Sequence, residues 1–341
     1  MDGLRGLAIL AVLLFHAYVS DPAHLPFGER YTFIPIRLGW VGVQLFFLIS
    51  GYVILMTLTK CSTIIEFASR RWWRLFPAML IASFIILWFD LTVGVGPYTQ
   101  RTWVNLLPGL LFVNPSIIHT LTGKVIDSMD VTFWSLYVEV CFYVVFSSAY
   151  FILGSTMAIV GVFVLFALTY FAELIASGGD LFSRAAAAAD WLGFIHFGWF
   201  ASGAMFYRFS KDRSSVLFAL AVAAGAVSAI TAKYPLPEKL GLLFVVILFA
   251  SAVLSLNIQR LLSSRILLFF GFISYPLYLV HNNILIGLMN LTASSMPSMP
   301  LILSPVIPLV VVVLVAWIIA KFGEPAFRSL REITAKIQIS S

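Results

Sequence analysis

The chain has 341 residues, 61% of them hydrophobic and only 11% charged, with a mean hydropathy of +1.01. Soluble domains carry about 25% charged residues, so this composition excludes a soluble globular protein and predicts one transmembrane domain over residues 1–341 with no extra soluble domain. The formal charge of +6 does not argue for nucleic acid, because the basic residues of membrane proteins collect in cytoplasmic loops.

The first apolar run, MDGLRGLAILAVLLFHAYV, carries Arg5 near its start and His16 near its end. Eleven positions make about three turns, so both side chains fall on one helical face, ~16 Å apart along the axis and about half a hydrocarbon core. The run lacks a small-residue cleavage site and many spans follow it, so it does not read as a secretion signal.

Apolar stretches predict ten transmembrane helices, at about 4–20, 39–58, 75–94, 132–152, 155–176, 188–208, 214–231, 240–256, 266–289 and 303–321. The expected fold is therefore all-α and polytopic. With the N-terminus inside, fourteen Lys and Arg fall on cytoplasmic segments and seven on outer ones. That bias, and the even number of spans, predict that both termini are cytoplasmic.

The outer loops 21–38 and 95–131 are long, as loops that cover or carry a site often are. Lys60 to Arg74 reads as a cytoplasmic amphipathic segment, with Trp72 and Trp73 suited to the interface. No inverted repeat of the transporter kind is evident. Cys61 lies in a basic loop and Cys141 in an apolar span, so a disulfide is not expected. No Cys or His spacing predicts a metal site.

Ionisable residues at membrane depth are functional candidates. His16 is the first: a neutral imidazole there can take a proton from a hydroxyl. Glu139, in FWSLYVEVCFY, lies at similar estimated depth and would orient His16 and stabilise its protonated form, as a carboxylate does in a triad. The alternative for each is a structural hydrogen bond between helices. His281 lies in SYPLYLVHNNIL, where Tyr275, Tyr278, Asn282 and Asn283 make the helix unusually polar and Pro276 is expected to kink it. That helix reads equally as a substrate wall or a polar packing seam.

Arg71 and Arg74 share a helical face three residues apart and, with Arg70 and Arg5, suit phosphate; topology signals and lipid contacts are the bland reading. Ser50, in LISGYVI, reads as close helix packing rather than a nucleophile. His24, His119 and His196 lack a partner pattern. No phosphate loop, dinucleotide fingerprint or metalloprotease helix occurs.

Six segments together resemble acyltransferase family 3, a family of integral-membrane acyltransferases. They are DGLRGLAILAVLLFH, VQLFFLISGYVI, RRWWRLFPA, FWSLYVEVCFY, SYPLYLVHNNIL and FGEPAFR, in that order along nearly the whole chain. The resemblance implies transfer of an acyl group, usually acetyl, from cytoplasmic acyl-coenzyme A to a hydroxyl of a surface glycan or glycolipid. It implies a bacterial inner-membrane location and His16 as catalytic base, with Glu139 beside it. It puts Arg5, Arg71 and Arg74 on the acyl-coenzyme A side, and Trp134, Ser135, Tyr278 and His281 toward substrate. Asn282 and Asn283 depart from the Trp-Pro common after the late histidine. The chain also starts almost at the first motif, and no hydrolase-like domain is expected after the last helix.

Two rival readings differ in kind. A glycan or lipid transporter would use His16 and Glu139 as a proton relay and ignore acyl-coenzyme A. A structural subunit of a polysaccharide-export assembly would need neither residue once inserted.

Overall fold

A computed structural model of the chain describes residues 1–31, 33–97, 101–176, 181–323 and 325, and no strand occurs among them. The helices are α1 (Asp2–Tyr18), α2 (Ile34–Arg37), α3 (Gly42–Leu58), α4 (Ile64–Thr92), α5 (Leu106–Leu111), α6 (Pro115–Thr122), α7 (Trp134–Ile175), α8 (Leu181–Trp191), α9 (Phe197–Asp212), α10 (Ser215–Thr231), α11 (Leu236–Leu254), α12 (Leu256–Leu262), α13 (Arg265–Val280), α14 (Asn283–Ser295) and α15 (Val306–Ile318). Of the expected FGEPAFR ending, Glu324 and residues 326–328 lie outside the described residues, as do Arg331 and Lys336.

Among the described residues, five stretches are long and apolar enough to cross a membrane: Pro35–Leu58, Ile64–Thr92, Val131–Ile175, Leu236–Leu254 and Leu301–Gly323. Two bent pairs, Trp103–Leu111 with Pro115–Thr122 and Leu256–Leu262 with Arg265–Val280, raise the number to seven if each counts as one span. The chain is thus an all-helical, multi-pass protein. The expected helices 132–152 and 155–176 are the two halves of α7, which parts at a kink at Gly154 (φ +82°). At 1.5 Å per residue each half, 134–153 and 155–175, measures ~30 Å, about one hydrocarbon core. The basic segment expected to stand apart at 60–74 is instead continuous with the following span from Ile64, and Pro77 sits inside that helix.

The helices sort into two compact units, neither contiguous in sequence. One holds Met1–Ala8, Val41–Phe67 and Trp134–Leu268; the other holds Ile9–Trp40, Ala68–Phe133 and the chain from Phe269 onward.

The first unit is built on α3 against α9. Almost every residue of α3 is buried, as expected of a helix apolar all round. The two backbones meet at small residues. A Cβ on Gly203 would stand 2.0 Å from the Leu48 carbonyl oxygen, and one on Gly51 would stand 2.0 Å from that of Phe200. Phe200 stacks on Phe142 of α7 and Phe47 of α3, with ring centroids 4.1 and 4.7 Å apart. The Ser202 hydroxyl donates to the Ala221 carbonyl of α10 at 2.7 Å. Gly203→Ala therefore forces the helices apart. We expect a loss of about 1–3 kcal/mol, seen as a lower melting temperature of the detergent-solubilised protein; an unchanged melting temperature would contradict this packing.

In the second unit, Arg71, Leu75, Ala78, Ala82, Ile86 and Asp90 form one buried stripe along α4 at three- and four-residue spacing. The hydroxyl of Tyr275 in α13 donates to the Leu75 carbonyl at 2.9 Å. The helix expected at 266–289 is broken here. It runs straight through Pro276 as α13, stops at Val280, and restarts as α14 at Asn283. The break therefore falls on His281 and Asn282.

Candidate active site

The second unit gathers His16, at the end of α1, with His281, Asn282 and Asn283 at the helix break and with two carboxylates, Asp130 and Asp90. On α1, Ile9, Val12, Leu13 and Ala17 are buried, so the helical period carries His16 onto the packed face. Its ring meets that of His281 edge to face, centroids 4.6 Å apart.

Asp130 is fully buried and lies just before the single turn Val131–Phe133 that leads into α7. Its Oδ1 accepts from the Thr132 amide at 2.8 Å, the Thr132 hydroxyl at 2.8 Å and Asn282 Nδ2 at 3.1 Å. Its Oδ2 accepts from the Asn283 backbone N–H at 2.9 Å. The first of these is the local cap an Asp makes two residues ahead. The last sets a carboxylate on the N-terminus of α14, where the helix dipole favours negative charge. Four donors compensate a buried carboxylate that would otherwise be costly.

This network fixes a tautomer. Asn282 gives its NH₂ to Asp130, so its Oδ1 is the atom that faces His16 Nδ1 at 2.9 Å. A carbonyl oxygen accepts; His16 Nδ1 must therefore carry the hydrogen, and the lone pair sits on Nε2. His281 is set the same way, because its Nδ1 donates to the Tyr278 carbonyl at 2.7 Å. Its Nε2 is buried and has no hydrogen-bond partner among the described residues. Two unprotonated imidazole nitrogens thus occupy one site.

Tyr278, expected toward substrate, donates its hydroxyl to the Thr132 carbonyl at 3.0 Å and leans its ring on His281 at 5.1 Å. It holds the break in place. Arg71 is buried in the α4 stripe, whereas Arg70 and Arg74 are exposed. Arg71 and Asp90 are 19 residues apart on one helix, ~28 Å, so the stripe runs from a cation at one end to the polar site at the other.

The remaining expected residues lie in the first unit. Arg5 pairs with Asp2 at 2.7 Å. Trp134 is partly exposed and packs with Phe47 and His196 at centroid distances of 6.1 and 5.2 Å, and Ser135 is buried. Glu139, expected to orient His16, falls in the first unit, and His16 in the second. The Glu139 carboxylate accepts from the Ser50 hydroxyl at 2.6 Å and from the hydroxyl of Tyr143, one turn along its own helix. It ties α7 to α3, and Ser50 serves as a donor in that tie. Depth in a membrane does not specify which faces of two helices meet, and the carboxylate linked to His16 is Asp130, through Asn282.

A family model described as an acyltransferase domain matches residues 1–321. The chain belongs to acyltransferase family 3. It is 30% identical over 149 residues to acyltransferase MdmB of Streptomyces mycarofaciens, covering 43% of this chain and 37% of that protein. It is 31% identical over 97 residues to O-acetyltransferase OatA of Staphylococcus aureus strain NCTC 8325, covering 27% of this chain and 14% of that protein. The matches thus span little more than a third and about a seventh of these relatives. No solved structure matches.

Sequence reasoning missed Asp130 and Asp90. Asp90 sits in LWFDLT, inside an apolar helix, and the rule that selected His16 and Glu139 selects it too. Asp130 carries the weaker signal of an Asp-x-Thr turn ahead of a helix.

Proposed function

We propose that this chain is a membrane O-acyltransferase that moves an acyl group, acetyl in the first instance, from cytoplasmic acyl-coenzyme A to a hydroxyl of a surface or exported glycan or glycolipid. The observation that carries this reading is the fixed tautomer of His16, which leaves Nε2 free to act as a base. His16 Nε2 takes the proton of the acceptor hydroxyl, and the oxygen attacks the thioester carbonyl. The ester C–O bond forms as the C–S bond breaks, and the imidazolium returns its proton to the departing thiolate. Asp130, one amide away, supplies negative charge while His16 is protonated. The exposed guanidinium of Arg74, with Arg71 three residues before it on α4, suits the phosphates of the donor, and Arg5 is proposed for donor binding in its own right. The name of the staphylococcal relative supports O-acetyl transfer.

The proposal includes a single acyltransferase domain of ten spans with both termini cytoplasmic, placed in a bacterial inner membrane. The two-to-one bias of Lys and Arg supports that orientation. Glycan from cells carrying the chain should show alkali-labile acyl esters by NMR that vector-only cells lack. Identical spectra would overturn the glycan acceptor. Binding of acyl-coenzyme A to the purified protein tests the donor, and absence of binding would overturn it.

The tautomer makes a prediction of its own. Asn282→Leu preserves bulk but removes the acceptor for His16 Nδ1–H and one of the four donors to Asp130. Transfer should fall by about tenfold or more, since a single buried hydrogen bond is worth ~1.4 kcal/mol. The effect should appear in kcat more than in KM, since ground-state contacts are untouched. Unchanged kcat would show that Asn282 does not set the base.

A further inference from the structure

We propose that Asp90 is a neutral carboxylic acid locked to the side chain of Asn283 in a cyclic acid–amide pair, and that this pair is a positioning element for the helix break bearing His281 and Asn282. Asn283 Nδ2 donates to Asp90 Oδ1 at 2.7 Å. The other oxygen of each group, Asp90 Oδ2 and Asn283 Oδ1, is buried and has no hydrogen-bond partner among the described residues. Both residues are almost wholly inaccessible, 4% and 0% exposed. An orphaned buried acceptor is costly, and here two occur in one bonded pair. Neither can satisfy the other while both are acceptors. One proton on Asp90 Oδ2 resolves both, because the acid O–H then donates to Asn283 Oδ1 while the amide N–H donates to Asp90 Oδ1.

The surroundings favour the neutral acid. Asp130 lies in the same network and is held as an anion by four donors. A second negative charge beside it would be repelled and poorly solvated. The cation acting on Asp90 is Arg101, whose guanidinium is engaged by Asp127 at 2.9 Å. Gly96 closes another side: a Cβ there would stand 2.4 Å from Asn283 Oδ1.

The pair is useful because Asn283 is gripped twice, by Asp90 through its side chain and by Asp130 through its backbone N–H. That double grip fixes where α14 restarts and so where Asn282 and His281 stand. It also leaves Asp130 as the carboxylate joined to His16 through Asn282. The positioning role rests on the acyltransferase reading; the protonation state does not, and the two are tested separately.

Infrared difference spectra of the purified protein, wild type minus Asp90→Asn, should show the carbonyl stretch of a carboxylic acid that shifts on deuteration. A carboxylate band in its place would overturn the neutral acid whatever the activity. For the positioning role, Asn at position 90 reproduces both hydrogen bonds of the acid. Asp90→Asn should therefore keep the transfer rate within a factor of about three, whereas Asp90→Leu strips both bonds and should lower it by about tenfold or more. Loss of activity in Asp90→Asn with a native elution profile would overturn the proposal, because it would show that the charge is needed. Equal activity in Asp90→Leu and wild type would overturn it as well. A failure of Asp90→Leu to fold, with Asp90→Asn active, supports it.

Discussion

His16→Ala should abolish ester formation while the protein still accumulates in the membrane. A positioned general base contributes ~10²–10⁴-fold in rate, so at matched expression the esters on the surface glycan should drop below detection. His16→Gln makes the stricter variant. Its side-chain NH₂ can still donate to Asn282 Oδ1, which accepts from His16 at 2.9 Å in the wild type, and it fills similar space, yet it offers no basic lone pair. The two variants should be equally inactive. Because His16 is half-buried and also packs on the ring of His281, Ala carries an added cavity cost that Gln avoids. Activity retained by Gln and lost by Ala would assign His16 to packing, and activity retained by both would remove it from the reaction.

Asp130→Ala should produce the largest loss of stability of any single change in the second unit. It leaves the Thr132 amide and hydroxyl, Asn282 Nδ2 and the Asn283 N–H without their acceptor in a fully buried place. Each orphaned donor costs about 1–3 kcal/mol. Even with partial relaxation the sum reaches several kcal/mol, against a typical folding free energy of about 5–15. We expect little monodisperse protein on size exclusion. Asp130→Asn separates charge from structure. If the new amide turns its NH₂ toward Asn282, that residue must flip and present its own NH₂ to His16, which forces the hydrogen onto Nε2 and removes the base. The outcome is a folded protein with transfer reduced by ~10² or more, the low end of a general-base contribution. Wild-type elution and activity in Asp130→Ala would dismantle the site as described.

Much of this was legible in the chain itself, for identifiable reasons. His16 and His281 are polar residues in apolar surroundings, a contrast that needs no structure to see. The interruption at Gly154 falls between two expected helices, and the expected 214–231 became Ser215–Thr231. Pairing was not legible. The sequence did not show that Glu139 accepts from Ser50 and Tyr143, because that depends on how α3 and α7 are rotated about their axes, which packing such as Phe142 on Phe200 sets. The break at His281 and Asn282 was hidden because Pro276, the more conspicuous breaker, sits one turn earlier in an unbroken stretch. Asp130 was hidden for a different reason. Its loop, 95–131, reads as one that covers or carries a site, yet nothing local singles out Asp130, whose importance comes from residues 152 and 153 positions away.

That separation has a consequence for how the protein is made. His16 and Asn282 are 266 residues apart. At a synthesis rate of 5–20 residues per second, about 13–50 seconds pass between the two leaving the ribosome. For that interval the first helix has no amide to set its imidazole, and Asp130, when it emerges, lacks two of its four donors. The centre is therefore among the last features of the second unit to form, so a chain cut short before residue 281 holds His16 and Asp130 without the amides that join them. A pulse-labelled ribosome-stalled series should show protease-resistant early helices long before the centre is complete.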